Sequence, residues 1–108
     1  MELTKKKCKP CEGGVPKLTP TEILEYQQAL NEPWEVADEM KILKQFTFNA
    51  YPEVIGFVNK VANLAEEEGH HPVMHVFFSL VKVELWTHAI LGLSENDFIL
   101  AAKIDELY

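Results

Sequence analysis

The sequence predicts an α+β domain: a four-stranded antiparallel sheet with helices packed on one face, in the order α-β-β-α-β-β-α. Three observations predict it. Two pairs of short runs with period-two alternation, over residues 34–48 and 73–88, are set between stretches of helical periodicity. Only a few residues separate the runs of each pair, which suits hairpins and not crossovers. Helix-start signals stand at Thr19-Pro20, Tyr51-Pro52 and Ser94, ahead of the three periodic stretches.

Each element follows in order. Residues 1–17 are rich in Lys, Gly and Pro and lack periodicity, so they are expected to form a flexible lead segment before a single domain at 18–108. Thr19 caps the first helix, Pro20 takes its first position and Glu22 completes a Thr-x-x-Glu box. Leu18 and Ile23 are spaced as a hydrophobic staple, Ile23, Tyr26 and Leu30 form the stripe, and 31–33 end the helix. A short strand from Trp34 to Asp38 and a longer one from Lys41 to Phe48 make the first hairpin. The second helix runs to Glu68 with Val54, Phe57, Val58, Val61 and Ala65 inward, and Gly69 suits its left-handed cap. Strands are expected from Val73 to Phe78 and from Val81 to His88, the latter with Val81, Val83, Leu85 and Thr87 on its core face. Ser94, with Asp97 three residues on, opens the last helix, whose stripe is Leu100, Ala101, Ile104 and Leu107. Helices on one face leave the other bare around Trp86, so self-association is expected.

Composition narrows the function. A chain of 108 residues with 47% hydrophobic and 25% charged residues can bury one core. A net charge of -7 argues against binding nucleic acid or an anionic membrane surface. Lys5, Lys6, Lys7 and Lys9 form a short basic run that reads as a solvated tail. There is no span-length apolar run and no apolar leader, so a cytoplasmic location is expected. Cys8 and Cys11 form a lone Cys-x-x-Cys without the strand–helix context of a redox motif or two further zinc ligands. A reduced thiol pair is the first reading, with disulfide or metal chemistry as the alternatives.

All four histidines, His70, His71, His75 and His88, fall between Glu66 and His88. A hydrated imidazole titrates near ~6.5 and exchanges protons at neutral pH without much tuning. Glu66, Glu67 and Glu68 sit at a helix C-terminus, where the backbone dipole disfavours negative charge. Such departures from helix design concentrate at functional sites, although a solvated acidic turn is an equal alternative. Pro72 holds His71 extended directly after that helix end. His75 alone reads as an ordinary strand residue. A metal site competes for the other three, but there is no His-x-x-x-His on a helix and no supporting cysteine in the window.

The pattern Glu66-x-x-x-His70-His71-Pro72, then Phe78, His88 and Asp97, resembles the signature of the pterin-4a-carbinolamine dehydratases. The likeness extends from Leu18 to the C-terminus through Phe46-Thr47-Phe48, residues 57–62, and Thr87-His88 leading to Gly92-Leu93-Ser94. It implies dehydration of a 4a-hydroxytetrahydropterin to the quinonoid dihydropterin, as part of tetrahydrobiopterin recycling beside an aromatic amino-acid hydroxylase. It also implies no metal or organic cofactor, a homodimer or homotetramer, and His70, His71 and His88 as the catalytic trio. Glu66 would orient a histidine or hold the pterin's polar edge. Asp97 matches an acidic family position, but its place in a capping box already gives it a structural role. Two positions depart from the family: Met74 stands where tryptophan is frequent, and Gly69 where an acid is frequent. Met74 is expected to pack on the flat ring through its polarizable sulfur. Vertebrate relatives also serve as a dimerisation cofactor of a transcription factor, so a protein–protein module is the second reading. A dehydratase-like protein acting on a different pterin is the third.

Overall fold

The computed structural model describes residues 1–10 and 16–108. Three helices, α1 (Pro20–Ala29), α2 (Tyr51–Glu68) and α3 (Glu95–Leu107), alternate with two hairpins, β1 (Glu35–Ala37) with β2 (Lys41–Thr47) and β3 (Val73–Val76) with β4 (Leu80–Leu85). The four strands form one antiparallel sheet in the order β1-β2-β4-β3, so both hairpins place their second strand at the centre. This is the α+β architecture expected from the sequence.

Alternation along the two central strands builds the core. Ile42, Phe46, Val81, Val83 and Leu85 point to one face and are buried with Val54, Phe57 and Val61 of α2 and Phe98 and Leu100 of α3. Gly69 ends α2 at φ 67, the left-handed cap for which a residue without Cβ is favoured. The Thr19 box is formed: Glu22 N–H donates to Thr19 Oγ1 and Thr19 N–H donates to the Glu22 carboxylate. The β1–β2 turn carries Asp38 and Glu39 both at φ 55, a conformation in which non-glycine residues are strained.

Four expectations are corrected. β3 stops at Val76 because Phe77 N–H turns to Leu80 O, closing the hairpin before Phe78. β4 stops at Leu85, three residues earlier than expected: Thr87 leaves the ladder to bridge Gly92, and His88 opens a 3-10 turn, His88–Ile90. The stripe of α3 is also too narrow as read. Phe98, Ile99, Leu100, Ala101 and Ile104 are all buried, so the helix is apolar on nearly every side and needs cover from more than the sheet. That cover comes from α1 and from a 3-10 turn at Leu3–Lys5 in the lead segment. Leu3 and Cys8, expected in a loose lead, lie in the core at 2% and 8% exposure. Cys11 and the rest of 11–15 lie outside the described residues.

The uncovered face of the sheet is polar at its centre. Glu84 is buried there, held by Lys41 Nζ at 2.5 Å and by His75 Nε2. The Lys41 hydrogen bond outweighs burial and keeps the Glu84 carboxyl below its ordinary range. His75, read from the sequence as without a role, thus serves a carboxylate on the sheet.

Candidate active site

The end of α2, the 3-10 turn after β4 and the N-terminus of α3 meet at one cleft of about 250 Å³. His70 and His71 enter it immediately after the Gly69 cap, and His88 enters from the other side with Thr87 and Ala89. The fold therefore brings together the three histidines picked out from the sequence. Lys9, from the lead segment, and Asn96, from the first turn of α3, complete the wall.

His70 is the buried member. Its ring is 11% exposed, and Nε2 lies 2.6 Å from Oδ1 of Asp97, which is fully buried. Asp97 Oδ2 accepts from Thr87 Oγ1 at 2.9 Å and from Ser94 N–H at 2.9 Å. Ser94 Oγ stands 2.7 Å from Thr87 Oγ1. The Ser94 contact is the acid half of a capping box, so the carboxylate that caps α3 also holds a histidine. With both Asp97 oxygens accepting, the hydrogen sits on His70 Nε2 and Nδ1 carries the lone pair.

His71 and Glu66 form the exposed member. Their contact, Nε2 to Oε2 at 3.0 Å, joins side chains that are 64% and 82% exposed. Glu66 does not itself line the cleft. His88 is exposed as well, and its ring lies against Trp86 at 4.5 Å between centroids and 38° between planes. Met74 is not at the cleft: it pairs with Val83 in the sheet and packs against the core. Among the described residues, no group of three His, Cys, Asp or Glu side chains is placed to hold a metal ion.

The lead segment is bolted beside this cleft. Asn96 Nδ2 donates to Lys9 O at 2.6 Å while Lys9 N–H donates to Asn96 Oδ1 at 2.9 Å. Cys8 N–H donates to Glu68 Oε1 at 2.9 Å, and Lys103 Nζ holds the other Glu68 oxygen at 3.0 Å. Burial opposes the Glu68 charge, but the Cys8 N–H and the Lys103 ammonium prevail and hold its carboxyl below the ordinary value. Burial and then the nearby Glu68 push the Cys8 thiol up to about 12. Lys9, Asn96 and Thr87 were not picked out from the sequence as site residues. The one available signal was Thr87 beside His88; the Lys9–Asn96 clamp spans 87 positions and leaves no local pattern.

Fold and cleft define a small α+β protein whose pocket is organised around imidazoles and a buried carboxylate. The chain belongs to the pterin 4 alpha carbinolamine dehydratase family, whose profile matches residues 16–107. A protein of Nitrosomonas europaea provisionally named pterin-4-alpha-carbinolamine dehydratase is 49% identical over 99% of this chain and 94% of its own. One of Rickettsia canadensis with the same provisional name is 46% identical over 95% of this chain and 94% of its own. Among solved structures, a transcriptional coactivator/pterin dehydratase from Brucella melitensis is similar at TM-score 0.78 and 32% identity, over 84% of this chain and 97% of that one. A pterin dehydratase-like protein described as a RuBisCO assembly factor in the alpha-carboxysome is similar at TM-score 0.62 and 25% identity, over 71% and 90%.

Proposed function

We propose that this protein is a hydro-lyase that dehydrates a 4a-hydroxytetrahydropterin to the quinonoid dihydropterin. The observation that carries the reading is the convergence of His70, His71 and His88 on one cleft in a chain matching the dehydratase family over residues 16–107.

In the reaction, an acid protonates the C4a hydroxyl, the C4a–O bond breaks and water leaves. The N5–H electron pair forms C4a=N5, and a base takes the N5 proton. One proton is spent and one recovered, so imidazoles alone balance the cycle. His70, its Nε2 committed to Asp97, and His88, on the opposite wall, are assigned the two proton transfers. His71, steadied by Glu66, orients the reacting edge of the pterin. Positioned acid–base groups of this kind contribute ~10²–10⁴-fold each. The substrate would come from an aromatic amino-acid hydroxylase, which leaves the 4a-hydroxy adduct of its tetrahydrobiopterin cofactor.

The test is to generate the 4a-carbinolamine with a hydroxylase and follow its dehydration by absorbance, with and without the protein. The wild type is expected to accelerate the step, and a His71→Ala/His88→Ala double variant to lose at least ~10²-fold of that acceleration. An inert wild type, or a fully active double variant, refutes the assignment.

Assembly as a homodimer or homotetramer belongs to the same proposal. Val76, Phe77 and Phe78 are 43%, 54% and 78% exposed at the end of edge strand β3, an apolar edge of the kind that self-association covers. A mass measurement in solution that returned only the monomer would remove this part.

A further inference from the structure

Residues 1–10 lie outside the span that matches the family profile, yet they supply part of the wall of the cleft. Leu3 and Cys8 are buried against the body of the protein, and Cys8 N–H donates to Glu68 Oε1. The Lys9 peptide receives an additional, two-way clamp from Asn96, a residue that itself faces the cleft. The segment is thus clamped beside the histidines. There the segment places an exposed ammonium in a protein of net charge -7. Among the described residues, Lys9 makes no ion pair. Glu95, the neighbouring carboxylate, is already engaged by Lys6 Nζ and by the Tyr26 hydroxyl, each at 2.9 Å.

We propose that Lys9 is a specificity residue of this cleft, which selects pterins whose ring substituent bears an anionic group, a carboxylate or a phosphate. This rests on the dehydratase reading and names its substrate class. The histidines attend to C4a and N5, at the fused edge of the ring system. The substituent is carried on C6, the pyrazine carbon bonded to N5, so a pterin with N5 at the histidines brings it into the cleft whose wall Lys9 helps to form. A neutral hydroxylated substituent gains an ion–dipole hydrogen bond from the ammonium. An anionic one gains in addition the attraction between opposite charges, which salt screens. Asn96 acts as the positioning residue, since it fixes the Lys9 backbone and leaves the side chain to reach the ligand.

The experiment measures binding of two stable pterins to the full-length protein by fluorescence: one with a carboxylate at C6 and its neutral hydroxymethyl counterpart. The wild type is expected to bind the carboxylate about ten-fold more tightly, with the preference shrinking at high salt. Lys9→Met is expected to bring the ratio of the two dissociation constants close to one, and Lys9→Arg to keep most of it. Equal affinities in the wild type, or a preference that survives in Lys9→Met, overturn the proposal. If carbinolamine dehydration remains normal in that case, the dehydratase reading stands and only the anion preference falls. A protein that binds neither pterin and leaves dehydration unaccelerated overturns both.

Discussion

The two histidines of the His70-His71 pair are adjacent in the chain and opposite in circumstance. His70 is withdrawn from solvent against a fully buried carboxylate, which a threonine hydroxyl and a backbone N–H hold in turn. His71 meets its glutamate in open water, and His88 across the cleft rests on an indole. The first arrangement is built with the fold, because Asp97 also caps α3. The second is left open to solvent. One half of the cleft should therefore trade stability with activity, while the other should change activity alone.

The largest effect tests the buried half. Asp97→Ala leaves His70 Nε2 and the Ser94 N–H without their acceptor, and leaves the Thr87 hydroxyl only Ser94 Oγ. Each orphaned buried group costs about 1–3 kcal/mol, so chemical denaturation should show a loss of roughly 3 kcal/mol. Turnover should fall together with it, by about 10²-fold or more, because the His70 ring is no longer oriented. A variant that keeps its stability while losing turnover would place Asp97 outside the capping network.

His88→Ala should separate the two properties. Turnover is expected to fall by ~10²-fold, with stability within about 0.5 kcal/mol of the wild type, since an exposed ring carries little packing. A large loss of stability would mean that the Trp86–His88 contact holds the turn after β4, and the contrast between the two halves would weaken.

Acid titration probes the support behind the buried half. The Glu68 carboxyl is held below its ordinary value in the folded protein by Cys8 N–H and Lys103, against burial. A group depressed in this way adds stability that is fully present above its unfolded value and is lost as pH falls through the folded one. The thermal midpoint should therefore drop as pH falls from neutral to below the carboxylate range. In Glu68→Gln the drop should be smaller by about a few degrees, on a midpoint already lowered at neutral pH. Equal slopes in the two proteins would mean that the Glu68 charge contributes nothing to anchoring the lead segment.

The same contrast explains what was legible in the sequence. The choice of His70, His71 and His88 as a trio came from the family resemblance, whereas the clustering of the histidines was readable from local signals, a glycine cap and a proline lock. The helices and hairpins were readable for the same reason, through capping residues and alternation. Misplaced strand ends trace to tertiary causes. Thr87 is drawn off the ladder toward Asp97 and Gly92, ten and five positions away, and no alternation pattern records that. The lead segment was misjudged because its Lys and Pro content hid two anchors, Leu3 and Cys8, whose partners on α3 are nearly the whole chain away. Met74 was assigned to the ligand from a family position, whereas its pairing with Val83 turns the side chain toward the core.

The smallest effect belongs to Glu66 and is the most discriminating for that reason. Its contact with His71 crosses open solvent, where two long exposed side chains gain little from pairing and salt screens what they gain. Glu66→Gln keeps an acceptor oxygen and removes the charge, so stability should not change measurably. If Glu66 only steadies the His71 tautomer, turnover at saturating substrate should fall by a few-fold and KM should stay put. If Glu66 instead grips the polar edge of the pterin, KM should rise while turnover at saturation holds, because uniform binding has been lost. In the first case the deficit should also shrink at high salt, which already weakens the pair in the wild type. A drop as deep as that of His88→Ala would show that the exposed half is organised before substrate arrives.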